Sequence, residues 1–358
     1  MIKNNKTVFV GVSGGVDSSV SAAILIEQGY TVVGVFIRTW TPDFIKCTWQ
    51  DERRDAMRVC AHLGIPFLEC DAEKEYKEGV ADYMIEEYRK GNTPNPDVMC
   101  NREVKFGVFL KFAKDNGADF IATGHYAQND YELKNKNYEL KKGKDLSKDQ
   151  SYFLWTLTQD DLAHTLFPVG HLEKTEVRKK ALKYNLPTAT KKDSQGVCFL
   201  GPLDMKDFLG HYIESKKGNV LNNKGKIVGV HDGAVFFTLG ERHGFMLTKH
   251  ANNSKPFYVV AKDIKENTIT VSDIHINTIS EKFSKYNLIN TNWINNKPED
   301  GKKYTAQIRY HGEIVNCTLS ILKDNCALVN FDKSILVSSG QSIVIFNDNI
   351  CLGGGVVI

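Results

Sequence analysis

The first half of the chain alternates between short runs of apolar, β-branched residues and stretches with helical spacing. Thr7–Val12 is the first apolar run and predicts a buried strand. A Gly/Ser loop fills residues 13–15, and Ser18–Gln28 predicts a helix that stops at Gly29. Thr31–Arg38 is a second buried strand, so the unit is a parallel pair joined by a right-handed crossover. Helices are predicted over Asp51–Leu63, Lys74–Lys90 and Glu103–Asn116, with strands at Phe67–Cys70 and Asp119–Thr123. Lys134–Lys142, with Tyr131 and Tyr138 nearby, predicts a polar hairpin inserted after them. Together these predict an α/β domain built on a doubly wound parallel sheet over residues 1–205.

Beyond residue 205 the helical period fades. Short strands separated by Asn, Gly and Asp are predicted at Ile227–Val230, Val235–Leu239, Phe257–Ala261, Thr268–Val271, Tyr304–Tyr310, Val315–Leu319, Ala327–Phe331 and Ser342–Phe346. A linker near Ile276–Lys285 would divide them into a small central β-rich domain (206–280) and a C-terminal β-barrel (281–358).

Composition narrows the class. At 42% hydrophobic and 25% charged residues, the 358-residue chain is globular in type. It has no apolar run of ~18 residues, so no membrane span is expected. The start of the chain carries no secretory pattern, and eight cysteines are too dilute for a disulfide scaffold. A cytoplasmic protein with mostly reduced thiols is expected. A net charge of +3 does not advertise nucleic acid, but charge is unevenly spread. Residues 174–192 hold Lys174, Arg178, Lys179, Lys180, Lys183, Lys191 and Lys192 against Glu176 alone. Such a stretch is either a solvated helix face or a patch for phosphates.

Gly11-Val12-Ser13-Gly14-Gly15-Val16-Asp17-Ser18-Ser19 lies at the first strand–helix junction. Its glycines let backbone N–H groups approach an anion, and the helix N-terminus adds partial positive charge. It lacks the lysine of the G-x-x-x-x-G-K-[ST] loop and does not fit G-x-G-x-x-G. The motif resembles the pyrophosphate (PP) loop of the ATP-pyrophosphatase superfamily. That resemblance implies ATP cleavage between the α and β phosphates, adenylation of a substrate oxygen, and Mg²⁺, with Asp17 a candidate to position the ion. Amide formation, lysidine synthesis and sulfur transfer all remain open at this point.

Most cysteines lie in helix or strand patterns (Cys60, Cys70, Cys317, Cys326, Cys351) and read as structural, while Cys47 sits in a polar loop. Cys100 and Cys198 differ. Cys100 follows the loop Thr93-Pro94-Asn95-Pro96-Asp97-Val98-Met99 and precedes a helix expected to begin near Arg102, which predicts a depressed pKa. Cys198 follows Lys191, Lys192 and Gly196, again favouring a thiolate. Two thiols suit one chemistry. Adenylation makes an oxygen a leaving group, a cysteine persulfide replaces it, and a second thiol breaks the remaining bond to sulfur.

Segments across the whole chain are similar to bacterial tRNA-specific 2-thiouridylases. They are Gly11–Ser19, Thr93–Phe106, Ile121–Tyr126 (IATGHY), Lys148–Leu154, Phe167–Gly170, Lys192–Phe199 (KDSQGVCF), Thr238–Gly244, Gly340-Gln341 and Cys351–Gly355. The segment Thr41–Trp49 matches the family's acidic loop only loosely. The resemblance implies 2-thiolation of the wobble uridine of tRNA. ATP would be held by Gly11–Ser18 and Gly124, with adenine near Ile37. Cys198 would carry the persulfide, Cys100 would be the partner nucleophile, and Asp97 a general acid/base. Asn95, Pro96 and Asp97 would surround the target base and His125 would touch the everted uridine. Lys148, Asp149, Gln150, Arg309, Tyr310 and Gln341 would contact the tRNA. The implied sulfur source is a cysteine desulfurase or a sulfur-relay protein. A mechanistic variant holds an iron–sulfur cluster on Cys100, Cys198 and Asp97.

Overall fold

The computed structural model describes residues 5–45, 49–193, 196–201, 203–248, 256–273 and 284–358. Cys47, Ser194, Gln195 and most of the Ile276–Lys285 linker lie outside them.

The first sheet is parallel throughout. It contains β1 (Thr7–Gly11), β2 (Thr31–Arg38), β3 (Phe67–Asp71), β4 (Phe120–Ala122) and β7 (Thr165–Leu166), in the order β3-β2-β1-β4-β7. Successive side chains of a strand face opposite ways. Val8 and Val10 therefore pack with Ala22, Leu25, Ala56 and Val59 of α1 (Val16–Glu27) and α2 (Trp49–Leu63). Phe9 faces the other way, into a larger core with Tyr76, Met84, Val104, Phe109 and Leu110 from helices spanning 73–89 and 96–115. Apolar residues on both faces explain the uninterrupted runs in the sequence.

Strand order reverses between β1 and β4, because β2 lies on one side of β1 and β4 on the other. The carboxyl ends of such strands open a crevice, which is where open α/β sheets bind ligands. The PP loop after β1 and the segment after β4 both lie there.

Two further sheets follow. The central one contains β8 (Gly218–Leu221), β9 (Ile227–His231), β10 (Phe245–Leu247), β11 (Tyr258–Asp263) and β12 (Thr268–Ser272), in the order β10-β9-β8-β12-β11. The last contains β13 (Lys285–Trp293), β14 (Lys303–Gln307), β15 (Ile314–Ile321), β16 (Ala327–Phe331), β17 (Ser342–Asn347) and β18 (Ile350–Val357). Pairing of β13 with both β16 and β18 closes these six strands into a barrel. Its interior holds Leu288, Ala306, Val315, Leu319, Val329 and Ile343.

Three local expectations need correction. Val235–Leu239 is not a strand: Ala234–Phe236 forms a 3₁₀ turn, entered through Gly233 at φ +145°. The strand expected through Tyr310 ends at Gln307, so Arg309 and Tyr310 occupy the turn that follows. The hairpin is not an isolated insert. Its strands, β5 (Ala127–Glu132) and β6 (Asn137–Lys142), extend the barrel sheet through the Lys141–Ile350 pair.

The first domain and the barrel are joined by buried polar bonds. The Tyr152 hydroxyl lies 3.2 Å from Ile308 O and 3.1 Å from Ser342 O, and Trp155 Nε1 donates to Ser342 Oγ at 3.1 Å. Asn292 Nδ2 donates to Trp155 O and Leu157 O. Replacing Tyr152 with Phe strands those buried carbonyls. It should lower unfolding stability by about 1–2 kcal/mol, read as a shift of the urea midpoint at constant slope.

Candidate active site

The phosphate loop is built by close backbone approach. Val12 N–H donates to Val35 O at 2.8 Å, pinning the loop to β2. Gly14 has φ +69°, and a Cβ there would lie 2.7 Å from Glu52 O of α2. Only glycine satisfies both conditions. Gly15 precedes α1 with no side-chain cap, so the first-turn N–H groups lack the partner that a capping side chain supplies. Ser13 N–H donates to Ser18 Oγ at 3.3 Å, and Ser18 Oγ and Ser19 Oγ donate to Gly15 O.

Gly124 faces this loop from the end of β4. A Cβ at Gly124 would stand 2.8 Å from Ser18 N and 3.0 Å from Asp17 Cβ. Ile37 is the penultimate residue of β2, buried, with its side chain beside Gly11. Val16 is core, packed with Val20, Tyr126 and Val177. Asp17 is fully engaged: Tyr126 OH donates to it at 2.7 Å, and Lys174 Nζ lies 2.7 and 2.8 Å from its two oxygens.

Cys100, Cys198, Asp97 and Lys105 meet in one place. Asn95 caps the helix that carries three of them, its Oδ1 accepting from Asp97 N and Val98 N, with Pro96 in the first turn. From Cys100 to Val108 the winding is π-helical, as in the Phe109 N–H to Val104 O bond. Bonds of i to i+5 bring residues five apart onto one face, here Cys100 and Lys105, and such windings concentrate at functional sites. The segment with Cys198 arrives from elsewhere in the chain. Cys198 N–H donates to Asp97 Oδ1 at 3.0 Å, and Tyr76 OH donates to Cys198 O at 2.7 Å.

The two thiols differ in character. A hydrogen bond from Cys100, aided by the Lys105 ammonium, holds Cys198 down at about 7. Burial, and then the neighbouring Cys198 sulfur, push Cys100 well above its ordinary value. Cys198 keeps some solvent exposure while Cys100 has none, so Cys198 loses the shared proton first. The depressed pKa expected for Cys100 is thereby corrected. Its helix begins at Pro96, not near Arg102, so the thiol lies a turn inside and buried. Burial raises the Asp97 carboxyl, against the bond from Cys198 N–H and the charge of Lys105. Cys60, Cys70, Cys317 and Cys351 are buried, with pKa values raised to about 11 or 12 by desolvation, as inert core thiols should be.

The expected RNA-contacting residues divide. His125 is buried between the rings of Phe106 and Phe167, and its Nδ1 lies 2.7 Å from Thr123 Oγ1; burial and Lys105 keep the ring neutral. Asp149 is turned inward, accepting from Gly143 N, Ser151 N and Ser151 Oγ. Gln150 is locked to Tyr126 by two backbone-directed bonds, and Lys148 reaches Asp193 at 3.3 Å. Arg309 is exposed, and Tyr310 packs on Phe153 at 4.6 Å between centroids. Gln341 Nε2 donates to Thr93 O at 2.9 Å, two residues before Asn95. The sequence reading missed Tyr76, whose hydroxyl holds the Cys198 backbone and which no motif marks. It also missed Tyr126, although the IATGHY segment contained it.

Two measurements test the site. Iodoacetamide alkylation of Cys198, followed by peptide mass spectrometry, should slow as pH falls through about 7, where the thiolate gains its proton. In Cys100→Ala the midpoint should rise toward the ordinary thiol value, since the hydrogen-bond donor is gone. Gly124→Ala should leave the chain folded but displace the phosphate loop, cutting ATP-dependent activity roughly 100-fold.

Comparison with known proteins agrees with this arrangement. Residues 6–202 match the family model described as tRNA methyl transferase HUP domain. Residues 206–273 match its PRC-barrel domain, and 283–357 match an aminomethyltransferase beta-barrel domain. The chain is 43% identical to tRNA-specific 2-thiouridylase MnmA 2 of Geobacillus kaustophilus, over 98% of this chain and 94% of that protein. It is 43% identical to the MnmA of Colwellia psychrerythraea, over 98% and 95% respectively. A Listeria monocytogenes MnmA is 43% identical over 98% and 94%. With its phosphate loop at the switch point, its paired thiols and this full-length similarity, the chain belongs to the tRNA-specific 2-thiouridylase family.

Proposed function

We propose that the protein is an ATP-dependent tRNA-uridine 2-sulfurtransferase acting on the wobble uridine. The observation that carries the reading is the meeting of Cys198, Cys100 and Asp97, with the Cys198 N–H on the Asp97 carboxylate and the two thiols near enough that each shifts the other's ionisation. Family membership supplies the substrate class.

The PP loop and Gly124 receive the phosphates of ATP, with adenine toward Ile37. The C2 oxygen of the everted base attacks the α phosphate, releasing pyrophosphate and leaving an adenylated base. The terminal sulfur of a Cys198 persulfide then attacks C2, and AMP departs with the oxygen. Cys100 attacks Sγ of Cys198, breaking the bond to the transferred sulfur. That sulfur stays on C2, and a Cys100–Cys198 disulfide remains for an external reductant. A site that favours the Cys198 anion also favours a reactive persulfide anion, and Lys105 is placed to stabilise either. Asp97, raised by burial, is a stronger proton acceptor than an exposed aspartate. The persulfide sulfur comes from a cysteine desulfurase or a relay protein.

Mg²⁺ would arrive with the nucleotide's phosphates. Asp17 does not offer it a free carboxylate, since Lys174 and Tyr126 engage both its oxygens. For the cluster variant, among the described residues no three His, Cys, Asp or Glu side chains are spaced to ligate a metal ion, and the Lys105 ammonium faces the same two sulfurs. A Lys105 ammonium beside the two sulfurs suits an anionic persulfide. Among the described residues no helix is long and apolar enough to cross a membrane.

The test is mass spectrometry of tRNA nucleosides after incubation with ATP, Mg²⁺ and a sulfide or persulfide source. Wild type should form 2-thiouridine, and Cys100→Ser and Cys198→Ser should each form none. Full thiolation by either variant would defeat the two-thiol route. AMP formation with ammonia or lysine incorporated instead would favour an amide- or lysidine-forming enzyme.

A further inference from the structure

The basic stretch at 174–192 does not present one face to solvent. Lys179 and Lys183 are exposed, but Lys174 turns inward to Asp17 beside the phosphate loop, and Arg178 turns to Asp193 and to the carbonyls of Ala189 and Lys191. The Lys174 side chain is only 14% exposed, and its ammonium bridges two carboxylates: Asp17 in the first turn of α1, and Asp193 Oδ1 at 2.9 Å. Arg178, one turn further along its helix, reaches the same Asp193 oxygen at 2.5 Å. Lys148 lies 3.3 Å from Asp193 Oδ2. Three cations thus converge on one carboxylate, beside a loop shaped for phosphate.

A carboxylate and a phosphate group take the same donors. Both offer anionic oxygens to an arginine fork and to lysine ammonium groups. Lys174 is largely covered and Arg178 partly so, and clustered cations in such surroundings favour a nearby anion, which in a nucleotide-free chain is a neighbouring aspartate. Asp17 alone does not balance the group, because Lys174, Arg178 and Lys148 bring three positive charges. Asp193 makes up part of the difference, and a polyphosphate carries enough charge to displace it.

We propose that Lys174 and Arg178, with Lys148, bind the β and γ phosphates of ATP, and that Asp193 is an internal substitute for those phosphates which the nucleotide displaces. The assignment rests on the reading that the loop binds ATP. It resolves the basic run, which the sequence left as either a solvated face or a phosphate patch, gives Lys148 a nucleotide contact in place of the tRNA contact expected of it, and makes Asp193 a brake on nucleotide affinity.

The experiment is calorimetric binding of α,β-methylene ATP, and separately of AMP, to the full chain, with tRNA affinity measured in parallel without nucleotide. Lys174→Gln should weaken the ATP analogue about tenfold, the loss of one charge-assisted contact, and leave tRNA affinity within about twofold. Asp193→Asn should tighten the analogue several-fold, because it removes the competitor. Neither variant should change AMP binding, since AMP lacks the β and γ phosphates. Weaker or unchanged analogue binding by a folded Asp193→Asn variant would overturn the proposal, making the network purely structural. So would a Lys174→Gln variant that loses tRNA and keeps the analogue. A wild-type chain that binds tRNA but not the analogue would sink the ATP reading itself, which is a separate result.

Discussion

The hydrogen bond from the Cys198 backbone to the Asp97 carboxylate, 3.0 Å long, joins two segments a hundred residues apart in sequence. The bond fixes where the Cys198 segment lands, and Tyr76 holds the same residue's carbonyl from the opposite side. Landing there puts the Cys198 sulfur against Cys100 and Lys105, so the charge state of one thiol is decided by groups on another helix. The π-helical winding serves the same end, because an ordinary α-helical turn would rotate Lys105 away from the face of Cys100.

The barrel is not a remote appendage. Thr93, at the head of the Asn95–Asp97 segment, donates its N–H to Ser339 O at 2.7 Å and accepts from Gln341 at its carbonyl. A Cβ on Gly340 would strike the Thr93 backbone at 2.9 Å, so that turn approaches as closely as backbone can. Thr93 Oγ1 also lies 3.3 Å from Thr238 Oγ1 of the central domain. All three parts of the molecule therefore meet at the short loop that delivers Asp97 and Cys100. Gln341, expected as an RNA contact on the family pattern, also bonds to that loop through Thr93.

Much of this was legible in the chain because its signals are local. Uninterrupted apolar runs gave the parallel strands, since strands covered on both faces need no polar alternation. The Ser13–Ser18 motif marked the anion-binding turn because glycine and hydroxyl residues have few other reasons to crowd a strand–helix junction. What failed depended on distant neighbours. Val235–Leu239 has the composition of a strand but turns at Gly233. Cys100 was expected to be acidic from the cations around it, and burial reversed the sign.

The sequence alone determined the order of elements, the phosphate loop and the two cysteines worth pairing. It could do so because periodicity, glycine geometry and residue chemistry act within a few positions of the chain. Only the tertiary structure decided which thiol is the acidic one, which lysines pair with carboxylates and how the three parts of the chain meet around Thr93. Those outcomes follow from desolvation and Coulomb interactions, whose strength is set by distance and burial in space, and linear order carries neither.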